Sequence, residues 1–288
     1  MSRAKTAIID CPEKSSVISS ICYGGVSLVV APYLISFFGL GFELDRNMQT
    51  WVQFAYYTIN CLVMVFIFRD YLLDTFFYIR MELRQFIARV ADGTVLILMV
   101  SAVIYGIGYK IGNPLVMQGV IPTTEVEMFV LPSVLMEQQP VWAVLCLVIV
   151  TPVTTSLLYY ATGFASTYNK SALRAYIQMA LILAIPNIVN GLTFWQMDEE
   201  IILYAVQLPV HLLACRTYQK ADSVWAPIAT HMIVNLIACI VWLLGTELRY
   251  KKSHPFGWDF SYIFSGAEKP SRSMEVSRMF FANAIKEM

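Results

Sequence analysis

The sequence predicts an all-α fold: a polytopic bundle of about seven transmembrane helices, with eight as the alternative count. Three observations carry that prediction. Of 288 residues, 58% are apolar or aromatic and only 14% are charged, against roughly 25% charged in soluble domains. Mean hydropathy is +0.61, with an aromatic content that excludes disorder, collagen and a simple coiled coil. The charges that do occur are gathered into short clusters, leaving long uncharged runs between them. Twenty Lys and Arg balance twenty Asp and Glu, so no global field recruits nucleic acid.

The uncharged runs lie at 15–42, 47–68, 93–109, 138–169, 175–197, 201–215 and 223–246. Most approach or exceed the ~20 apolar residues that cross a hydrocarbon core of about 30 Å. A helix satisfies its own backbone groups there, whereas a β-barrel needs short alternating segments. The run 201–215 is short. With Asp198, Glu199, Glu200 and Arg216 placed at the interfaces it still spans; a buried core helix is the alternative.

Lys and Arg placement sets orientation, because short basic loops stay in the cytoplasm. Arg3, Lys5 and Lys14 precede the first run; Arg69, Arg80, Arg84 and Arg89 follow the second. Lys170 and Arg174 follow the fourth, and Arg216 and Lys220 the sixth. This predicts a cytoplasmic N-terminus. Seven spans put the basic segment 246–288 outside, and one further helix or a re-entrant segment such as 126–140 would reverse that. The first apolar run is too long for the core of a cleavable signal peptide, so it reads as an anchor.

Two pieces outside the spans have a readable character. Phe76, Ile79, Leu83, Phe86, Ile87 and Val90 recur at three-to-four spacing, which predicts an amphipathic helix over 76–91 in the cytoplasmic interface or packed under the bundle. Residues 271–288 suit a short helix in a polar tail. The chain thus divides into N-terminal transmembrane helices (1–137), a second half (138–246) and a C-terminal tail (247–288). Five of six cysteines (Cys22, Cys61, Cys146, Cys215, Cys239) lie in or beside spans and behave as small hydrophobes, with no disulfide framework.

Polar groups inside apolar spans are costly and mark candidate sites. Asn60 and Ser101 read as interhelical hydrogen-bonding residues. Ser223-Val-Trp225-Ala-Pro227-Ile-Ala-Thr-His231-Met-Ile-Val-Asn235 places His231 and Asn235 four residues apart, on one helical face. This segment resembles the last motif of the CAAX-protease and bacteriocin-processing family of intramembrane metalloproteases, a small residue and Trp-Ala-Pro followed by H-x-x-x-N. The resemblance covers about 138–246.

Carried over position by position, the family's Pro-x-x-Glu-Glu-x-x-Phe-Arg-Gly motif falls on Pro152 to Ala161. Thr155 and Ser156 stand for the two glutamates, Tyr159 and Tyr160 for Phe-Arg, and Ala161 for Gly. Asn187, after Pro186, stands where a second motif ends in His. The resemblance therefore implies site positions Thr155, Ser156, Asn187, His231 and Asn235, with three of them altered. Hydroxyl groups lack a carboxylate's basicity and tend to bond back to their own helix. Losing one positioned base costs 10²–10⁴-fold in rate.

A catalytic zinc takes about three protein ligands and a water. His231 offers one, and His211 on the preceding run is a candidate to join it in a shared metal site, with a carboxylate outside the aligned motifs as a further ligand. Three functions follow. A degenerate member would bind a hydrophobic or lipidated peptide, a lipid or a partner membrane protein in a cavity lined by Thr155, Ser156, Tyr159, Asn187, Asn190, His231 and Asn235, with no cofactor. An active, diverged CAAX- or leader-peptide endopeptidase would carry zinc. A transporter or complex subunit would use Pro152, Pro186, Pro209 and Pro227 as helix breaks. The resemblance implies an integral protein of a bacterial cytoplasmic membrane.

Overall fold

A computed structural model of the chain describes residues 11–27, 46–107, 139–194 and 197–253. Among them every regular element is helical and no strand occurs. In chain order these are α1 (Lys14–Gly25), α2 (Arg46–Ile67), α3 (Arg69–Met81), α4 (Leu83–Ile107), α5 (Pro140–Tyr168), α6 (Ala172–Phe194), α7 (Met197–Ala221) and α8 (Trp225–Ser253). Three stretches among the described residues are long and apolar enough to cross a membrane: Leu83–Ile104, Pro140–Tyr168 and Ala172–Val189. Phe54–Ile67 and Trp225–Val241 are apolar but shorter. Residues 28–42 of the first expected span, most of the segment 126–140, and 254–288 with His254 lie outside the described residues. No disulfide joins the described cysteines.

The stretch 76–91 is not one helix. Glu82 divides it: the Glu82 N–H turns back to the Ile79 carbonyl at 3.2 Å, and a new helix starts where the Phe86 N–H meets the Glu82 carbonyl at 3.0 Å. The division has a packing cause. Trp225 donates its indole N–H to the Leu72 carbonyl at 3.1 Å and sets its ring edge-on to Phe76 at 5.7 Å. Tyr71 bonds Tyr218 hydroxyl to hydroxyl. These contacts hold α3 across the ends of α7 and α8, while α4 runs along those same two helices, so the chain changes direction between them.

The core is organised around α5, which packs against α1, α2, α6, α7 and α8. From Ser156 to Ala165 every residue except Tyr159 is buried. Ser20 and Thr162 join hydroxyls at 2.8 Å, tying α1 to α5. Helix α5 is not uniformly α: Cys146–Val150 and Ser156–Ala165 are wound as π-helix, a form with i→i+5 bonds that is rare and usually short. Thr162 follows that winding with its side chain, donating to the Leu157 carbonyl five residues back at 3.0 Å.

Elsewhere, small groups allow close approach. A Cβ on Gly93 of α4 would stand 2.4 Å from Thr217 Oγ1, so only glycine lets α4 and α7 meet at this depth. The α7–α8 turn is made by Asp222 at φ 51°, the left-handed region in which Asp is tolerated better than bulky residues. Ser223 Oγ then accepts the Trp225 N–H at 3.3 Å. Pro227 falls in the first turn of α8, where its missing N–H has no intrahelical partner to lose.

Candidate functional site around Tyr160

The turn just described starts α8 so that His231 and Asn235 both reach α5. His231, buried, meets Tyr160 of α5: the phenolic oxygen lies 3.3 Å from Nε2. The same oxygen lies 2.7 Å from Nδ1 of His211 on α7. The imidazole centroids are 5.8 Å apart and nearly perpendicular. Tyr160 is fully buried and has one proton for two ring nitrogens. It donates to one imidazole and accepts from the other; both rings thereby fix their tautomers against the phenol. Tyr159, one residue earlier, sets its ring edge-on to His211 at 5.4 Å.

Asn235 has a different task. The π turn sends the Thr151 N–H to the Cys146 carbonyl, so it does not bond Leu147 as it would in an α-helix. Pro152, the next residue that could bond Leu147 in π geometry, has no N–H. The Leu147 carbonyl is left without a donor from its own helix, and Asn235 Nδ2 supplies one at 2.8 Å. The His–x–x–x–Asn face thus binds α5 at two places, one aromatic and one backbone. Thr230, beside His231, turns the other way and reaches the Val90 carbonyl of α4 at 3.5 Å.

The remaining sequence-derived positions do not converge on this point. Asn187 donates Nδ2 to the Leu183 carbonyl of its own helix at 2.8 Å, one turn back and next to Pro186 inside the helix. Ser156 Oγ is buried with no hydrogen-bond partner among the described residues. It was expected to bond back to its helix, as Thr154 does to Val150 at 2.9 Å, and nothing in the structure explains why it does not. The Asn190 side chain lies outside the described residues. Thr155 and Tyr159 line a cavity of about 150 Å³ between α1, α2 and α5, together with Tyr23, Tyr56, Asn60 and Leu158.

The wall of that cavity is mostly apolar, and four of its polar residues are bonded among themselves. Tyr23 donates to Asn60 Oδ1 at 2.8 Å, Ser27 bonds the same oxygen, Tyr56 donates to the Ser27 carbonyl at 2.7 Å, and Asn60 Nδ2 donates to the Tyr56 carbonyl at 2.8 Å. The positions expected in one cavity therefore separate: Thr155 and Tyr159 line the apolar cavity beside α1 and α2, His231 joins the His211–Tyr160 cluster, and Ser156, Asn187 and Asn235 join neither.

The donor set around Tyr160 does not fit a catalytic zinc. One nitrogen of each imidazole is engaged by the same phenol, Asn187 is turned to its own helix, and no group of three His, Cys, Asp or Glu that could hold a metal occurs among the described residues. Two ligands fall short of the usual three. Tyr160 itself had been read only as the residue standing where the family has Arg. Its sequence signal was a tyrosine deep in an apolar span, whose hydroxyl must find a partner when buried.

No protein family, curated protein or solved structure matches the chain.

Proposed function

We propose that this chain is an integral membrane protein that binds a hydrophobic or lipidated peptide, or an apolar helix of a partner protein, and does not hydrolyse it. In this reading it crosses a bacterial cytoplasmic membrane about seven times with a cytoplasmic N-terminus, as a degenerate relative of the CAAX-protease type. The observation that carries the reading is the bridging of His211 and His231 by Tyr160. Hydrolysis needs a base that can take a proton from water and donors aimed at the developing oxyanion. Here both imidazoles address a phenol instead, and hydroxyl groups stand where the family has glutamates.

Binding has a physical site in the cavity between α1, α2 and α5. The cavity is partly open and about 150 Å³, roughly the room of one small ring, so it suits a side chain or a short stretch of an acyl or prenyl chain rather than a whole lipid. Tyr159 lines the cavity and touches His211, which couples an occupant to the histidine pair.

The test uses purified full-length protein in detergent with a fluorescent farnesylated peptide. Saturable binding without cleavage is expected, with affinity reduced about tenfold in Thr155→Phe, whose ring would fill the cavity. Cleavage that chelator abolishes would reject the proposal.

A further inference from the structure

We propose that the end of the α4–α7 pair where Asp92 meets Lys220 binds the head group of an anionic phospholipid, whose acyl chain lies along the outer face of α4. This inference goes beyond the binding cavity, which lies between other helices, and shares with that reading only the membrane setting.

The site is built by sequence spacing. Arg216 and Lys220 are four residues apart on α7, and Arg89 and Asp92 three apart on α4, so each pair shares a helical face. The close approach at Gly93 and Thr217 brings those faces together. Lys220 Nζ holds Asp92 Oδ2 at 2.7 Å with both side chains partly exposed. Arg89 and Arg216, both exposed, lie near enough for their charges to act on the same carboxylate. One cation thus pairs with the carboxylate and two more stand on the adjoining helical faces, an excess of positive charge at the level where the charged end of α4 gives way to its apolar run.

A second observation selects a lipid rather than a free anion. Val95, Met99 and Val103 follow Asp92 at three- and four-residue steps and are all more than half exposed. An apolar stripe therefore begins at the cationic cluster and runs into the span. Phosphate alone would use only the cluster; a phospholipid uses both, and cationic pockets between membrane helices are suited to such head groups.

The test is native mass spectrometry of the full-length protein in neutral detergent, titrated with phosphatidylglycerol or phosphatidylcholine of the same acyl chains. Phosphatidylglycerol is expected to bind at least tenfold tighter. Arg89→Gln with Arg216→Gln should weaken it roughly thirtyfold, about fivefold per cation. Arg216→Gln alone should lose about fivefold, which keeps the test valid if the double variant fails to fold. Lys14→Gln with Arg69→Gln, removing equal charge from α1 and from the start of α3, should leave binding within about twofold. Equal binding of the two lipids, equal loss in both double variants, or displacement of phosphatidylglycerol by equimolar inorganic phosphate would each overturn the proposal.

Discussion

Tyr160 and His211 are joined by a 2.7 Å hydrogen bond inside the bundle, linking α5 to α7, and the same hydroxyl reaches His231 of α8. One phenol therefore pins three helices at one point. Such a junction is structural in kind: one nitrogen of each imidazole is engaged by the phenol, and a buried polar group left without its partner is expensive.

Tyr160→Phe removes the oxygen and strands both ring nitrogens. The expected result is a loss of roughly 1–2 kcal/mol of stability, the range for buried and interhelical hydrogen bonds, read by denaturant unfolding in detergent. His211→Phe added to Tyr160→Phe should cost less than the sum of the two single changes, since they share one interaction. Full additivity would separate the two residues energetically.

Asn235→Leu leaves the Leu147 carbonyl without a donor, at an expected cost of about 1 kcal/mol. The cause assigned to that orphan is Pro152, so Pro152→Ala should reduce the cost by restoring a backbone N–H nearby. A measured Asn235→Leu penalty that is unchanged in the Pro152→Ala background would show that the asparagine acts elsewhere.

Gly93→Ala forces a methyl group onto the Thr217 hydroxyl and should destabilise the α4–α7 contact by about 1–3 kcal/mol, the usual cost of overpacking. Thr217→Ala removes the Oγ1 and Cγ2 atoms that the new Cβ would meet at 2.4 and 2.8 Å. The pair of changes is therefore expected to recover most of the loss. Thermal unfolding of the four proteins in one detergent measures this; no recovery would place the strain in the helix backbone rather than at Thr217.

How much of this was legible beforehand depends on the scale of the signal. The helical class was plain, because uncharged runs such as 138–169 and 175–197 leave little other way to satisfy a backbone in hydrocarbon. The position of His231 and Asn235 on one face was also legible, since i,i+4 spacing sets it. What each residue touches was not. Asn235 answers a carbonyl orphaned 88 residues earlier in sequence, and Tyr160 owes its role to two histidines on other helices. The break at Glu82 escaped the periodicity of 76–91, because the apolar spacing continues through it and α3 is fixed in place by distant partners, Trp225 on Leu72 and Phe76 and Tyr218 on Tyr71.

The most direct measurement is the zinc content of full-length protein purified without chelator, set beside His231→Ala. With both imidazoles held by Tyr160 and no third ligand grouped with them among the described residues, the expected result is below about 0.1 zinc per chain, against the whole ion a catalytic site requires, with no difference between the two proteins. Near-stoichiometric zinc that disappears in His231→Ala would contradict the reading of this bundle as a binder rather than a hydrolase.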